Sequence, residues 1–378
     1  MLRRISATLL LLSLSASGLA AVLPEDRADV LYHLYDGGGV TIDGPSVLVR
    51  KQVGKSLSFV GNHYLDYVSS ASIDVVTTAS PYDEEREQWS LGMDYLRGNT
   101  TMSLNYVSSV ESDYDASTWA LSVKQDFFGQ LTTVALSYAH GENVVGRSDD
   151  ETFSRDMLAQ QYGVSITQIL TKNLITALNF ETVTEEGFLN NPYRTVRYAD
   201  SGSALGYSYE PELYPNTRTS NALGIRAKYF LPYRAAVEAE YRYFTDTWDI
   251  EGHTVSLGYT HPWKNWIFSG KVRLHDQTGA SFFSDLFPRS EATNFRGRDK
   301  ELSDMSTTTV QLKASYTFLD DPVGWQGFLK RGSVSASLDL LTADYDEFRD
   351  LTSGAPAGEE PFYSLEANVV QIFLSFWY

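Results

Sequence analysis

The chain ends Val370-Gln371-Ile372-Phe373-Leu374-Ser375-Phe376-Trp377-Tyr378. In an extended strand successive side chains point to opposite sides, so Val370, Ile372, Leu374, Phe376 and Tyr378 share one face. Left unpaired at the end of a soluble domain, such a strand is an edge that invites aggregation. A closed sheet pairs it on both sides. The same alternation recurs inside the chain. Val310, Leu312, Ala314, Tyr316 and Phe318 alternate with Gln311, Lys313, Ser315 and Thr317. Val334, Ala336, Leu338 and Leu340 alternate with Ser333, Ser335, Ser337 and Asp339. Val237, Ala239, Tyr241 and Tyr243 flank Glu238, Glu240 and Arg242, and Phe268, Val272 and Leu274 flank Ser269, Lys271 and Arg273. Each run is about ten residues, the length a tilted strand needs to cross a bilayer.

Alternation alone fits two folds. A soluble β-sandwich turns the apolar face to its core. A membrane barrel turns it to lipid and the charged face to the lumen. Export signals separate the two. Arg3 and Arg4 precede an apolar run from Ile5 to Leu14, and small residues lead to Gly18-Leu19-Ala20. This reads as a signal peptide at 1–20, cleaved ahead of a single domain at 21–378. No later run approaches the ~18 uncharged apolar residues of a spanning helix. The terminal strand, with Phe376 and Tyr378 on its apolar face, resembles the signal by which outer-membrane barrels are recognised by the barrel-assembly machinery. The expected fold is therefore all-β: a transmembrane antiparallel up-and-down barrel in the outer membrane of a Gram-negative bacterium, in contact with its lipid and lipopolysaccharide.

Composition excludes several functions. Cysteine is absent, which removes disulfides, zinc–thiolate sites and cysteine nucleophiles. Asp plus Glu number 48 against 30 Lys plus Arg, a balance that does not suit nucleic acid. The 24 Tyr, 19 Phe and 7 Trp suit aromatic girdles. Trp89, Trp119 and Trp248 fall at external strand ends, and Trp263, Trp266, Trp325 and Trp377 at the periplasmic side.

Read backward from Tyr378, strands are predicted near 365–378, 332–342, 304–318, 266–276, 253–262, 235–248, 219–230, 174–184, 159–170, 131–141, 116–128, 100–110, 87–97, 56–68 and 40–53. Short connections such as Arg97-Gly98-Asn99-Thr100 alternate with long ones near 69–86, 142–158, 185–218, 277–303 and 343–364. Short turns belong to the periplasm and long loops to the exterior. That assignment starts the strand at 40–53 outside, and bacterial barrels have even strand counts. A sixteenth strand is expected at Asp29–Tyr35, joined through Asp36-Gly37-Gly38-Gly39, where glycine supplies positive φ. The alternative is a luminal plug at 22–39. The connection at 319–331 is long for a periplasmic turn and either extends its strands or offers a contact surface.

Asp26-Arg27-Ala28-Asp29-Val30-Leu31-Tyr32-His33, Tyr35-Asp36-Gly37-Gly38-Gly39-Val40 and Ile42-Asp43-Gly44-Pro45-Ser46-Val47-Leu48-Val49-Arg50-Lys51 resemble the opening of an uncharacterised outer-membrane family, domain of unknown function 3570. Val68–Thr77 and Ala79-Ser80-Pro81-Tyr82 continue the likeness. The resemblance implies a barrel with no assigned activity. It also implies an association, through gene neighbours, with a lipoprotein, a thioredoxin-like protein and a flavin transferase, hence with extracytoplasmic redox chemistry. Asp350-Leu351-Thr352-Ser353-Gly354-Ala355-Pro356 approaches a flavin-acceptor motif, but Pro356 stands where the acceptor hydroxyl belongs, and it reads as a loop turn.

Lumen charges are the remaining candidates. Arg50, Lys124, Arg226, Lys228, Arg242, Lys271, Arg273 and Lys313 are expected inward, with Asp66, Asp94, Asp126, Glu181, Glu238, Glu240 and Asp339. They either pair across strands or set up a field that selects solutes. The basic-leaning stretch Arg226, Lys228, Arg242, Lys271 and Arg273, with Glu238 and Glu240 among it, is the best place for a ligand path. Excess acid at Asp83-Glu84-Glu85, Glu111, Asp113, Asp115, Asp149-Asp150-Glu151, Asp344, Asp346, Glu347 and Glu359-Glu360 is expected to form a solvated outer face, or to hold divalent cations. His33, His63, His140, His253, His261 and His275 are dispersed, and no nucleophile elbow or phosphate loop is present. The expectation is a pore for small polar or ionic solutes, not an enzyme, with no cofactor. The alternatives are a scaffold docking a periplasmic lipoprotein or redox partner, and an outer-membrane hydrolase.

Overall fold

The computed structural model describes residues 22–70, 82–325 and 328–378. The expected signal peptide lies outside the described residues, as does the connection at 71–81. Sixteen antiparallel strands close into one barrel. They are β1 (Arg27–Gly37), β2 (Val40–Val53), β3 (Leu57–Ser70), β4 (Tyr82–Arg97), β5 (Thr100–Val110), β6 (Tyr114–Phe127), β7 (Thr132–Val145), β8 (Arg155–Thr171) and β9 (Leu174–Gly187), then β12 (Thr217–Phe230), β13 (Ala236–Asp246), β14 (Glu251–Trp263), β15 (Trp266–Gln277), β16 (Met305–Trp325), β17 (Leu329–Arg349) and β18 (Phe362–Trp377). A separate hairpin, β10 (Thr195–Ala199) and β11 (Tyr207–Pro211), belongs to the external loop between β9 and β12.

The sixteenth strand is real, and the 22–39 stretch does not plug the lumen. β1 pairs with β2 on one side and β18 on the other, from Arg27↔Trp377 to Gly37↔Ala367. The turn between β1 and β2 holds Gly38 and Gly39 at φ 59° and 76°, which side chains with a Cβ rarely adopt. At the seam the Tyr378 hydroxyl donates to the Arg50 carbonyl (2.9 Å) and the Lys51 ammonium lies 4.9 Å from the Tyr378 ring centroid. Closure leaves no sheet edge.

Register fixes which face is which. Val255, Leu257 and Tyr259 of β14 are exposed, whereas Thr254 and Ser256 between them are buried. Leu91, Leu121, Leu136, Leu223, Ile225 and Leu312 are likewise exposed on their strands. A face of exposed leucine, isoleucine and valine around the whole wall has no place in water and is a lipid-facing band. Trp89 and Trp119, each 53% exposed, stand on that face toward the external ends, and Trp263 and Trp266 on it at the periplasmic ends. Trp377 departs from the expected girdle: it takes the inward register beside Arg27 and lies under the Arg331 guanidinium, 3.8 Å away. The Trp325 side chain lies outside the described residues.

Two strands outgrow their neighbours. β16 and β17 run past the periplasmic rim as a long hairpin, with register shifts between Thr317 and Leu319 and between Asp320 and Trp325. At the other end β17 continues to Arg349, beyond the predicted strand end, and carries Tyr345 and Phe348 into a buried cluster above the mouth.

Candidate functional site

The charged residues expected in the lumen all take the inward register. On β12 to β16 the partners are Arg226↔Glu240, Lys228↔Glu238, Gly224↔Arg242, Ser256↔Arg273, Gly258↔Lys271 and Ser269↔Lys313. Pairing is uneven. Glu240 takes both Arg226 (3.1 Å) and Lys271 (4.0 Å), and Glu238 takes Lys228 (3.7 Å). Among the described residues no carboxylate stands within ion-pair distance of Arg242, Arg273 or Lys313. Arg242 lies over Phe244 and Lys313 over Phe373 instead. Arg273 and Lys313 are exposed although they point inward, so open space adjoins them. The opposite wall is neutralised: Arg50 pairs with Asp94, Arg86 with Asp66, and His33 with Asp66 at 2.8 Å. Arg86 escaped the sequence reading because it sits where a loop was expected; its register partner Asp66 was the available signal.

Above the lumen the external loops fold together. The β10–β11 hairpin is bonded on both edges by the loop between β15 and β16. On one edge the Phe287 N–H donates to the Arg197 carbonyl (2.9 Å) and the Ala199 N–H to the Phe287 carbonyl (2.8 Å). On the other, Leu213 and Arg296 exchange bonds of 2.9 and 2.7 Å. Leu189, Tyr214, Trp248, Ile250, Ala280, Phe282 and Leu302 make its core over Met157 of the wall. Trp248 was expected in the outer girdle. It is instead 2% exposed and anchors this core, because its β13–β14 turn folds inward and its indole N–H finds the Thr217 carbonyl at 3.0 Å.

A buried charge network fastens the assembly. Arg197 is 0% exposed. Its guanidinium donates to Glu360 (2.5 and 3.2 Å), to the Asp285 carboxylate and to the Asp285 carbonyl (2.9 Å). Arg298 binds the same Asp285 carboxylate at 2.8 Å and the Arg349 carbonyl at 3.1 Å, lying 4.3 Å from the Phe348 ring centroid. Arg197 and Arg298 face the carboxylates of Asp285 and Glu360, and a third guanidinium, that of Arg349, donates to the Glu360 carbonyl, so both buried carboxylates are met by hydrogen-bonded cations, the condition for burying charge. Arg197 comes from the β9–β12 loop and Glu360 from the β17–β18 loop. In the closed strand order six strands separate these loops on one side and ten on the other, so the ion pair bridges the mouth. The β5–β6 and β7–β8 loops join it: the Tyr193 hydroxyl donates to Asp113 (2.5 Å) and Arg147 donates to the Pro192 carbonyl (3.3 Å).

The outer acids are thus not a uniformly solvated face. Glu360 and Asp113 are buried partners of the lid. Burial opposes the charge of Glu360, yet Arg197 overrides it and holds that carboxyl below its usual range. Glu212 goes the other way. Burial raises it to about 7, with Asp299 adding and Arg194 opposing, while the Tyr214 hydroxyl donates to it at 2.6 Å. Glu84, Glu111 and Asp113 bring carboxylate oxygens within 4.8 Å of one another. At Asp350–Gly354 the Asp350 carboxylate accepts from the Thr352 N–H (2.8 Å) and Gly354 turns the chain at φ 70°, the turn the sequence suggests. The histidines stay apart: His33 on the lumen wall, His63 and His253 on the outer face.

No curated protein matches this chain. Among solved structures, a bacterial polysaccharide outer membrane secretin is 8% identical, with a TM-score of 0.49, over 94% of this chain and 99% of its own. OmpT of Vibrio cholerae is 10% identical, with a TM-score of 0.45, over 94% and 100%. The outer membrane protein opdK of Pseudomonas aeruginosa is 9% identical, with a TM-score of 0.42, over 93% and 99%. A family model, "Protein of unknown function (DUF3570)", matches residues 72–327. With that match covering most of the mature barrel, the chain belongs to the DUF3570 family.

Proposed function

We propose that this outer-membrane barrel is a lidded pore for small polar or ionic solutes. One observation carries the reading: Arg273 and Lys313 point inward yet are exposed. Unpaired charges are costly in a dry interior, so the lumen beside them holds water. The external lid then controls access, and Arg197 is its fastening. In this reading the protein is not an enzyme and uses no cofactor. Single-channel recording on refolded protein tests it. Discrete conductance steps, together with swelling of liposomes in small sugars, are the expected result. Silence in both assays, for the wild type and for an Arg197→Ala variant with a loosened lid, would overturn it.

The β16–β17 hairpin favours a second reading. It projects past the periplasmic rim, where a scaffold for a periplasmic lipoprotein or redox partner would present a surface. Such a scaffold is silent in bilayers and co-purifies with its partner, and shortening the hairpin at 319–331 releases it.

A further inference from the structure

We propose that the β12–β16 wall is a binding path for small polyvalent oxyanions, a dicarboxylate or phosphate, with Arg242, Arg273 and Lys313 as its contact groups. The inference rests on the pore reading and names its substrate class. Apart from the Arg218–Asp246 pair at its external end, the wall carries six inward cations, Arg226, Lys228, Arg242, Lys271, Arg273 and Lys313, against the two carboxylates Glu238 and Glu240. Those carboxylates are engaged by Arg226, Lys228 and Lys271. Arg242 feels Arg273 as a like charge, and Glu181 and Glu240, neither within ion-pair reach of it, as opposite ones. Two like charges kept side by side without a bridging acid gain when an anion enters between them. Guanidinium forks suit planar or tetrahedral oxyanions better than chloride, because they offer parallel N–H donors. Inward hydroxyls continue the donor surface: Thr254 beside Arg242, Ser256 and Thr309 beside Arg273, and Ser269 beside Lys313. With the opposite wall neutralised by Arg50–Asp94 and Arg86–Asp66, the net field crosses the lumen and is positive on this side. It exists inside a chain whose overall charge is −18, so it is a local feature and not a consequence of composition.

The test is the zero-current potential of the full mature barrel in a planar bilayer under a potassium chloride gradient. Chloride should be preferred over potassium by on the order of threefold or more. Succinate and inorganic phosphate, added separately, should block the chloride current, and whichever blocks at lower concentration distinguishes the two sources of the oxyanion. Arg273→Gln with Lys313→Gln should bring selectivity close to unity and weaken block at least about tenfold, the loss of roughly one charged hydrogen bond. Arg273→Glu with Lys313→Glu should prefer potassium. Migration on gels with and without boiling shows whether each variant has folded, and the wild-type sign stands as a test if one has not. Cation preference in the wild type, or selectivity unchanged in the neutral pair, would overturn the oxyanion path and leave the pore standing. Silence of the wild type and of Arg197→Ala would remove both.

Discussion

Glu212 and Arg197 show how single side chains set the state of the lid. The Glu212 carboxyl, pushed up to about 7 by burial, stays protonated in the closed lid where an exposed glutamate would ionise. The closed state then binds more protons than the open one between the ordinary carboxyl value, 4.5, and about 7. Lid stability therefore falls as pH rises through that window and is lowest above it. Glu360 has the opposite sign. Its depressed value makes its contribution present at neutral pH and lost in acid. Hydrogen exchange at the Val196 and Arg197 amides, corrected for intrinsic rates, should show protection falling from pH 5 to 8. Glu212→Gln should flatten that slope, and an unaltered slope would refute the assignment. Arg197→Ala leaves Glu360 without its cation, a loss of about 3–5 kcal/mol in lid stability. Arg197→Lys keeps the charge but not the fork and should fall between the two. Protection of the same amides measures both.

At the scale of a strand, alternation is the testable property. Leu257 and Ser256 are neighbours on β14, one toward lipid and one toward the lumen. Leu257→Lys should destabilise the folded barrel in liposomes by about 2–4 kcal/mol, the cost of a cation near the bilayer midplane. Ser256→Lys should cost less, because its ammonium points away from lipid, with Glu240 on one flank and Arg273 on the other. Urea titrations of the two variants in liposomes compare them, and equal losses would mean the faces are misassigned. The strands were legible because period two is a local property, readable from about ten residues. Errors appeared at strand ends. β4 begins at Tyr82 and β17 ends at Arg349, each several residues into stretches that read as loop, which hid Arg86 and moved Tyr345 and Phe348 into the lid.

For the whole molecule, closure and lid are separable. The wall is held by ladders that close on themselves, so it should survive the loss of the lid. Removing the β10–β11 hairpin by joining Phe188 to Asn216 through a short glycine linker should leave the unboiled, fast-migrating form on gels and raise mean conductance several-fold by opening the mouth. A deletion that abolishes the fast form would show that the lid is part of the barrel's own stability.

The amino-acid order alone determined the barrel: the even strand count, the inside-out polarity, the inward charges and the pairing of the first strand with the last. Each follows from side chains alternating about a backbone whose hydrogen bonds must all be met in lipid. The tertiary structure decided the lid and the imbalance of the lumen. Arg197 meets Asp285 and Glu360 across 88 and 163 residues of sequence, and only the circular closure of the wall brings those loops over one mouth. Which cations stand without a carboxylate among the described residues is likewise a matter of register between neighbouring strands: Arg226 falls opposite Glu240, whereas Arg242 falls opposite Gly224 and Thr254, and Arg273 opposite Ser256 and Thr309.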